Sequence, residues 1–355
     1  MFLALNEIRH SKLRYALVIG VMFLIAYLVF FLSGLAYGLA QENRMAVDKW
    51  EADSLLLSEK ANDTLNMSMI NPKLAEEVEA DETALLVQAP AIIYQSEDNE
   101  TKENVSFFGI DEDEFITPNI VEGEMFSKKG EVVADISLKE SAGFDLGDTI
   151  NISMNDEEMT IVGFTENAKY SVSPVLYTSF ETVQSVRYGE MAENQELKVN
   201  AIIIRGEVSE IPDGLSQITV TDFINKLPGY SAQVLTFGFM IGFLVVIAAV
   251  VIGIFIYVLT MQKTAIFGVM KAQGISSGYI AKSVIAQTFF LATVGVLSGL
   301  ILTIASGFVL PEAVPFQSNL IFFALISVLM IIIAITGALF SVRTIVKIDP
   351  LKAIG

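Results

Sequence analysis

The 355-residue sequence has no cysteine and a single histidine, His10. Disulfides, thiolate nucleophiles and cysteine-ligated metals are therefore excluded, as are multi-histidine metal sites. His10 reads as a basic residue flanking a membrane helix. No GxxxxGK[ST] string occurs, so the chain has no phosphate cradle of its own. Basic residues are scarce where acids abound. Residues 41–230 hold all but three of the 41 Asp and Glu, while nine of the 22 Lys and Arg lie outside. Such a block presents a solvated acidic surface, and without clustered cations it does not grip nucleic acid.

Elsewhere charge itself is missing. Residues 15–40, 231–262, 283–310 and 316–342 contain none. The first would form roughly 39 Å of helix and the second roughly 48 Å, against a hydrocarbon core of about 30 Å. Four membrane spans are expected. A secretory signal peptide competes for the first, with Gly38-Leu39-Ala40 as its small-x-small site. The apolar run is about twice the usual length of a signal core, which favours a retained span. The excess length of the second predicts a stalk projecting outward from the bilayer.

The nine bases outside the acidic block are Arg9, Lys12, Arg14, Lys263, Lys271, Lys282, Arg343, Lys347 and Lys352. All fall on one side if four spans are threaded with both termini inside, and the positive-inside rule makes that side cytoplasmic. The expectation is a multi-pass plasma-membrane protein. Its fold class is membrane α-helical, four transmembrane helices, with an α+β extracytoplasmic domain inserted between the first and second. Residues 1–40 make the cytoplasmic N-terminus and first helix, 41–230 the outer domain, and 231–262 the stalk and second helix. Residues 263–282 form a cytoplasmic coupling segment and 283–310 the third helix. An outer loop follows at 311–317, the fourth helix at 318–342 and a cytoplasmic tail at 343–355.

Within 41–230 the portion to about residue 103 reads as helical, with 48–57 continuing the membrane helix and 72–80 rich in Ala and Glu. From 104 onward β-branched or alternating runs predict strands at 105–110, 131–134, 149–154, 159–164, 175–177 and 199–205. Asn155-Asp156-Glu157 is a predicted hairpin turn. A short helix is predicted at 136–142 with Asp135 capping it and Gly143 ending it, and another from Asp222 to Leu227 before Pro228-Gly229. Paired acids such as Asp111 and Glu114 read as an exposed turn, since their spacing demands no metal or glycosidase chemistry.

Residues 261–277, MQKTAIFGVMKAQGISS, lie between two spans and must form a short cytoplasmic piece. Ile266, Val269, Met270 and Gln273 share one helical stripe, Lys263 and Lys271 lie off it, and Gly274 falls where a C′ glycine would. A short amphipathic helix held between two spans is well placed to be pushed. Lys263-x4-Gly268-x3-Ala272-x-Gly274 followed by Ile-Ser resembles the basic–x–x–EIG–x–x–x–A–x–G–A–S segment of FtsX/MacB-type ABC transporter permeases, with Ile266 where many members carry Glu. In that family the segment docks on the ATP-binding subunit. The resemblance thus implies a coupling role for Lys263, Ile266, Gly268, Val269, Met270, Lys271 and Gly274. The order GEVVADISLKESAGFDLGDTINIS…MTIVGF…SPVLYTS is similar to the extracytoplasmic core domain of the MacB superfamily. The close Arg343…Asp349-Pro350-Leu351-Lys352-Ala353 resembles that family's ending.

The resemblance implies a permease that is not itself an enzyme, ATP being bound and hydrolysed by a separate subunit. Half of a symmetric machine implies a homodimer with two ATP-binding subunits in the lipid membrane. Three GxxxG pairs, Gly34 with Gly38, Gly238 with Gly242 and Gly295 with Gly299, are candidate close-packing sites. The first two suggest pairing of the first and second spans, within one chain or across a dimer. Gln287 is expected to make a helix–helix hydrogen bond. Overall length and the KTAIFGVMKAQGI and LPEAVPF segments look most like the haem-efflux permeases of the Hrt type, which implies haem as substrate. Haem iron accepts His, Met, Tyr or Cys. The candidate ligands are therefore Tyr37, Met45, Tyr170, Tyr230 and Met240. Competing readings are export of antimicrobial peptides, lipoproteins or drugs, and a non-transporting mechanotransmitter acting on a cell-wall enzyme.

Overall fold

The computed structural model describes residues 12–95, 98–154, 157–189, 196–311 and 313–346. It divides into two units, Leu39–Val234 and Met1–Gly38 with Leu235–Gly355. His10, the turn residues Asn155 and Asp156, and the tail motif at 349–353 lie outside the described residues.

The inserted unit is built on one mixed sheet. Its strands are β1 (Ser54–Ser58), β2 (Glu79–Gln95), β3 (Asp98–Gly109), β4 (Ile120–Gly123), β5 (Glu131–Asp135) and β6 (Thr149–Ile152). The rest are β7 (Glu158–Thr165), β8 (Lys169–Tyr170), β9 (Ser173–Thr178), β10 (Ala201–Glu210) and β11 (Leu215–Thr219). The order is β11-β1-β10-β2-β3-β9-β5-β7-β4, with β6 beside β2 and β7, and β8 beside β9. Pairing is antiparallel except for β3 with β9 and β5 with β7.

Both faces of this sheet are covered. Leu55, Leu57, Leu86, Phe108, Tyr177 and Ile203 go into one core, around Trp50. Their chain neighbours Leu56, Val87, Phe107, Leu176, Ile202 and Ile204 go into the other. Strands buried on both sides read as unbroken apolar runs, and each fully buried side chain of this size contributes about 1.5–3 kcal/mol. That two-sided burial explains the main correction to the sequence reading. Among the described residues from 43 to 103, helix is confined to the four-residue α2 (Met45–Asp48) and short 3-10 turns, and the strands there are β1, the 17-residue β2 and the start of β3. Glu51, at φ +49, breaks the chain away from the helix before β1.

The predicted strands from 104 onward coincide with β3, β5, β6, β7, β9 and β10. The helix α3 (Ser137–Ala142) ends at Gly143, φ +75, and the Asp135 carboxylate accepts from Ser137 N–H at 3.0 Å. After α4 (Phe180–Tyr188), α5 (Val220–Lys226) is capped by Thr219, not by Asp222: Thr219 Oγ1 accepts from Asp222 N–H and bonds its carboxylate at 2.9 Å. The hydroxyl sits one turn earlier than the sequence reading put the cap.

Among the described residues, four helices are long and apolar enough to cross a membrane: α1 (Lys12–Glu42), α6 (Tyr230–Met261), α8 (Ser277–Gly307) and α9 (Leu320–Val346). The nine-residue α7 (Thr264–Ala272) lies between α6 and α8. Ser277 already belongs to α8, so the third span begins six residues before the sequence reading put it, with Ser276 Oγ accepting from Tyr279 N–H as its cap. All four long helices contribute to two cores, one around Tyr15, Met22, Ile252, Leu291 and Ala334, the other around Phe30, Ala248, Val296 and Phe323. From α6 only Ala248, Ile252 and Ile256 are fully buried in them, a stripe one residue wide every four positions.

Candidate functional site

Two turns and a half make up α7, and each of its faces has a distinct environment. Phe267 (3% exposed) and Gly268 are buried, and Phe267 packs with Ile280 and Val284 of α8, backed by Met270 and Ile275. The end of the helix is a 6→1 stop: Ile275 N–H donates to Met270 C=O at 3.0 Å and Gly274 N–H to Lys271 C=O at 2.9 Å. Gly274 takes φ +86, which a side chain would resist. The other face is open and apolar. Ile266 is 55% exposed and Val269 44%, and Ala265, Ala272 and Gln273 are exposed beside them. The stripe read from the sequence is thus the outward one, apart from Met270, which is half-buried.

Lys263 precedes α7 and turns inward, 9% exposed. Its ammonium donates to the Tyr15 hydroxyl and lies 3.5 Å from Gln287 Oε1, while Gln287 Nε2 also donates to Tyr15. Lys263 Nζ sits 5.2 Å from the centre of the Tyr15 ring. Gln287 therefore makes the helix–helix hydrogen bonds expected of it, and the cluster ties α1, the start of α7 and α8 at one point. Lys271 is half-buried. Nothing in the sequence pattern distinguished the inward lysine from the other.

The glycine pairs separate into two kinds. A Cβ on Gly295 would lie 2.6 Å from Met22 Cβ, and one on Gly299 2.8 Å from Tyr27 N, so this pair seats α8 directly on α1. A Cβ on Gly34 would lie 2.4 Å from the Phe316 ring, and one on Gly38 2.0 Å from Pro315 O. Gly34 and Gly38 therefore receive the loop before α9, not α6, and Gln317 N–H donates to Gly34 C=O at 3.2 Å. A Cβ on Gly238 or Gly242 would meet nothing within 4 Å beyond their own helix, and both glycines are exposed. The pairing of first and second spans within one chain does not occur through these glycines.

The haem-ligand candidates are divided between the two units. Tyr37 is half-buried and stacks on Phe322 at 6.2 Å, and Met240 is half-buried on α6. In the inserted unit, Met45 is half-buried on α2, while Tyr170 and Tyr230 belong to the Trp50 core. Tyr170 is 9% exposed with its ring 5.4 Å from that of Phe108, and burial pushes its hydroxyl well above the usual phenol range. Arg44 pairs with Asp48 and adjoins the Tyr230 hydroxyl; the Asp48 hydrogen bond, foremost, holds the guanidinium pKa above its ordinary value. No group of three or more His, Cys, Asp or Glu able to hold a metal ion occurs among the described residues.

Residues 15–213 match the MacB-like periplasmic core domain, and residues 238–350 match the FtsX-like permease C-terminal. A relative from Staphylococcus epidermidis, described as a candidate hemin transport system permease protein HrtB, is 26% identical over 364 residues. The match covers 100% of this chain and 99% of the relative. An uncharacterized ABC transporter permease of Mycobacterium tuberculosis is 24% identical over 361 residues, with the same coverage. Among solved structures, the periplasmic region of MacB from Actinobacillus actinomycetemcomitans aligns with 50% of this chain and 94% of its own. That alignment has a TM-score of 0.35 and 11% identity. With four membrane-length helices, a mixed-sheet domain between the first two, and two family domains spanning nearly its whole length, the chain belongs to the MacB/FtsX-type ABC transporter permeases.

Proposed function

We propose that this permease exports haem by mechanotransmission, as one half of a homodimer served by two copies of an ATP-binding subunit, with both termini cytoplasmic. The single observation that carries the coupling step is the open apolar face of α7. Ile266 and Val269 stand out while Phe267 anchors the helix from beneath and Gly274 stops it. An apolar face of that size on a membrane-proximal helix is suited to a protein partner. ATP-driven closure of the partner would push α7, and α6, which precedes it by two residues, would carry the motion. The bases at 263, 271 and 282 support the cytoplasmic assignment of this segment.

Haem as cargo rests on the name of the staphylococcal relative, which matches over its full length. Of the five candidate ligands, Tyr37, Met45 and Met240 retain accessible surface, whereas Tyr170 and Tyr230 are in the domain core. The experiment is to reconstitute the permease with its ATP-binding subunit in lipid nanodiscs and measure ATP turnover with and without haem. Turnover should rise with haem. A turnover that depends on the permease but ignores haem, and responds instead to a peptide or drug, would overturn the cargo while leaving the coupling.

A further inference from the structure

The inserted unit holds a partly open cavity of about 200 Å³ on the Trp50 side of its sheet. Gln88 of β2 and Ser106 of β3 line it. They stand at even-numbered positions, like Leu86 and Phe108, and so face the Trp50 core. Gln88 is 5% exposed, and its Nε2 donates to Ser106 Oγ at 2.8 Å. Its Oε1 is buried and meets no donor. A buried carbonyl left unmet is costly, and a wall position that needed only packing would be filled more stably by an apolar side chain.

The rest of the wall is mainly apolar, with Leu65, Val105, Tyr170, Phe223 and Leu227 contributing. Lys226 and Asp63, both in the lining, form an ion pair. Two of the bordering turns are strained. Asn62 and Asp63 have φ of +49 and +56, and Ser171 and Val172 have φ of +50 and +69. For a β-branched valine that is a genuine outlier, and backbone strain of this sort gathers at ligand clamps. A concave hollow whose exposed wall is mostly apolar, bordered by Thr64, Ser171 and Ser173 and holding one buried acceptor without a partner, has the character of a small-molecule site.

We propose that this cavity binds a small monocyclic aromatic molecule bearing a hydroxyl donor, which Gln88 Oε1 accepts while Phe223 and Tyr170 flank the ring. Size sets the class: a cavity of about 150 Å³ takes benzene, so this one takes a substituted single ring and excludes haem. The occupant would rest against Leu227 and Pro228, the last residues before Gly229 and the start of α6 at Tyr230. The site is thus separate from the transported cargo, and it does not depend on the haem reading.

The chain carries its own reporter. Trp50 is the only tryptophan, and its ring stacks on Phe223 at 6.4 Å. Full-length protein in lipid nanodiscs is titrated with phenol and with its donor-free ether anisole, following Trp50 emission. Phenol should give a saturable change, with anisole weaker by about fivefold for the missing hydrogen bond. Gln88→Leu should make the two equal. Asn66→Phe, at an exposed position of the lining, should abolish the response without touching the core. The proposal is overturned by an unsaturable response, by anisole matching phenol in the unaltered protein, or by a phenol response undiminished in Asn66→Phe. Because ATP turnover is not read, the outcome stands whatever the permease exports.

Discussion

Glu114 follows three acids in a turn, yet its two carboxylate oxygens each lie 3.0 Å from Leu85 N–H, and the side chain is half-buried. Burial, the largest influence, outweighs the Leu85 hydrogen bond and pushes its pKa up to about 7. A carboxyl whose pKa is higher folded than unfolded stabilises the fold below the unfolded value and loses that contribution as pH rises through the folded one. The melting temperature of the protein should therefore fall between pH ~5 and ~8. Glu114→Gln keeps an acceptor for Leu85 and removes the ionisation, so its melting temperature should be flatter over that range and higher at the alkaline end. Equal slopes for the two proteins would remove Glu114 as the cause. Sequence reading took this residue for part of an exposed turn. Its partner lies 29 positions away on β2, and no local spacing reveals such a contact.

Among the elements, α7 was legible in outline, but its buried anchor was not. The i, i+3, i+4 pattern and Gly274 marked a short helix and its end, and the coupling role read for Ile266 and Val269 needs that stripe to face outward. Here Phe267, off that stripe, does the anchoring, and Ile266 and Val269 are left outside. Gly268 is buried, so Gly268→Glu would disturb the helix's seat and would not isolate docking. Ile266→Asp and Val269→Asp are the discriminating variants. Both should insert and melt like the unaltered permease, within about 0.5 kcal/mol, as exposed substitutions do. Each should cut permease-stimulated ATP turnover by tenfold or more. Normal turnover in both would place the partner elsewhere. Of the strands after residue 104, β3, β5, β6, β7, β9 and β10 were legible from their β-branched or alternating runs, while β4, β8 and β11 were not. β1 and β2 were not, because two-sided burial erases alternation and leaves runs such as Leu55-Leu56-Leu57 that suit a helix equally well.

At the scale of the molecule, the four-span layout follows directly from uncharged length, since an apolar run long enough to cross lipid as a helix satisfies its own backbone there. How the spans meet did not follow, because a GxxxG pair announces close approach without naming its partner. Gly299→Leu should force α1 and α8 apart and lower stability by about 1–3 kcal/mol, as overpacking does. Gly242→Leu meets only open space within the protomer and should leave its melting unchanged. If two copies pair along α6, that second variant should abolish the dimer seen by crosslinking or native mass measurement in detergent. Dimers that survive Gly242→Leu would assign the interface to another helix.

The inserted unit receives the chain at Leu39 and releases it near Gln233, and a single side chain spans both. Asn43 Nδ2 donates to Leu39 C=O at 2.8 Å and to Gln233 Oε1 at 3.4 Å. Entry and exit this close make the unit a cassette: the whole inserted unit can be excised or exchanged for a relative's while the spacing of its two chain connections is kept. Exchange of this unit among relatives then needs only grafting at one doorway, while the rest of the chain is inherited intact.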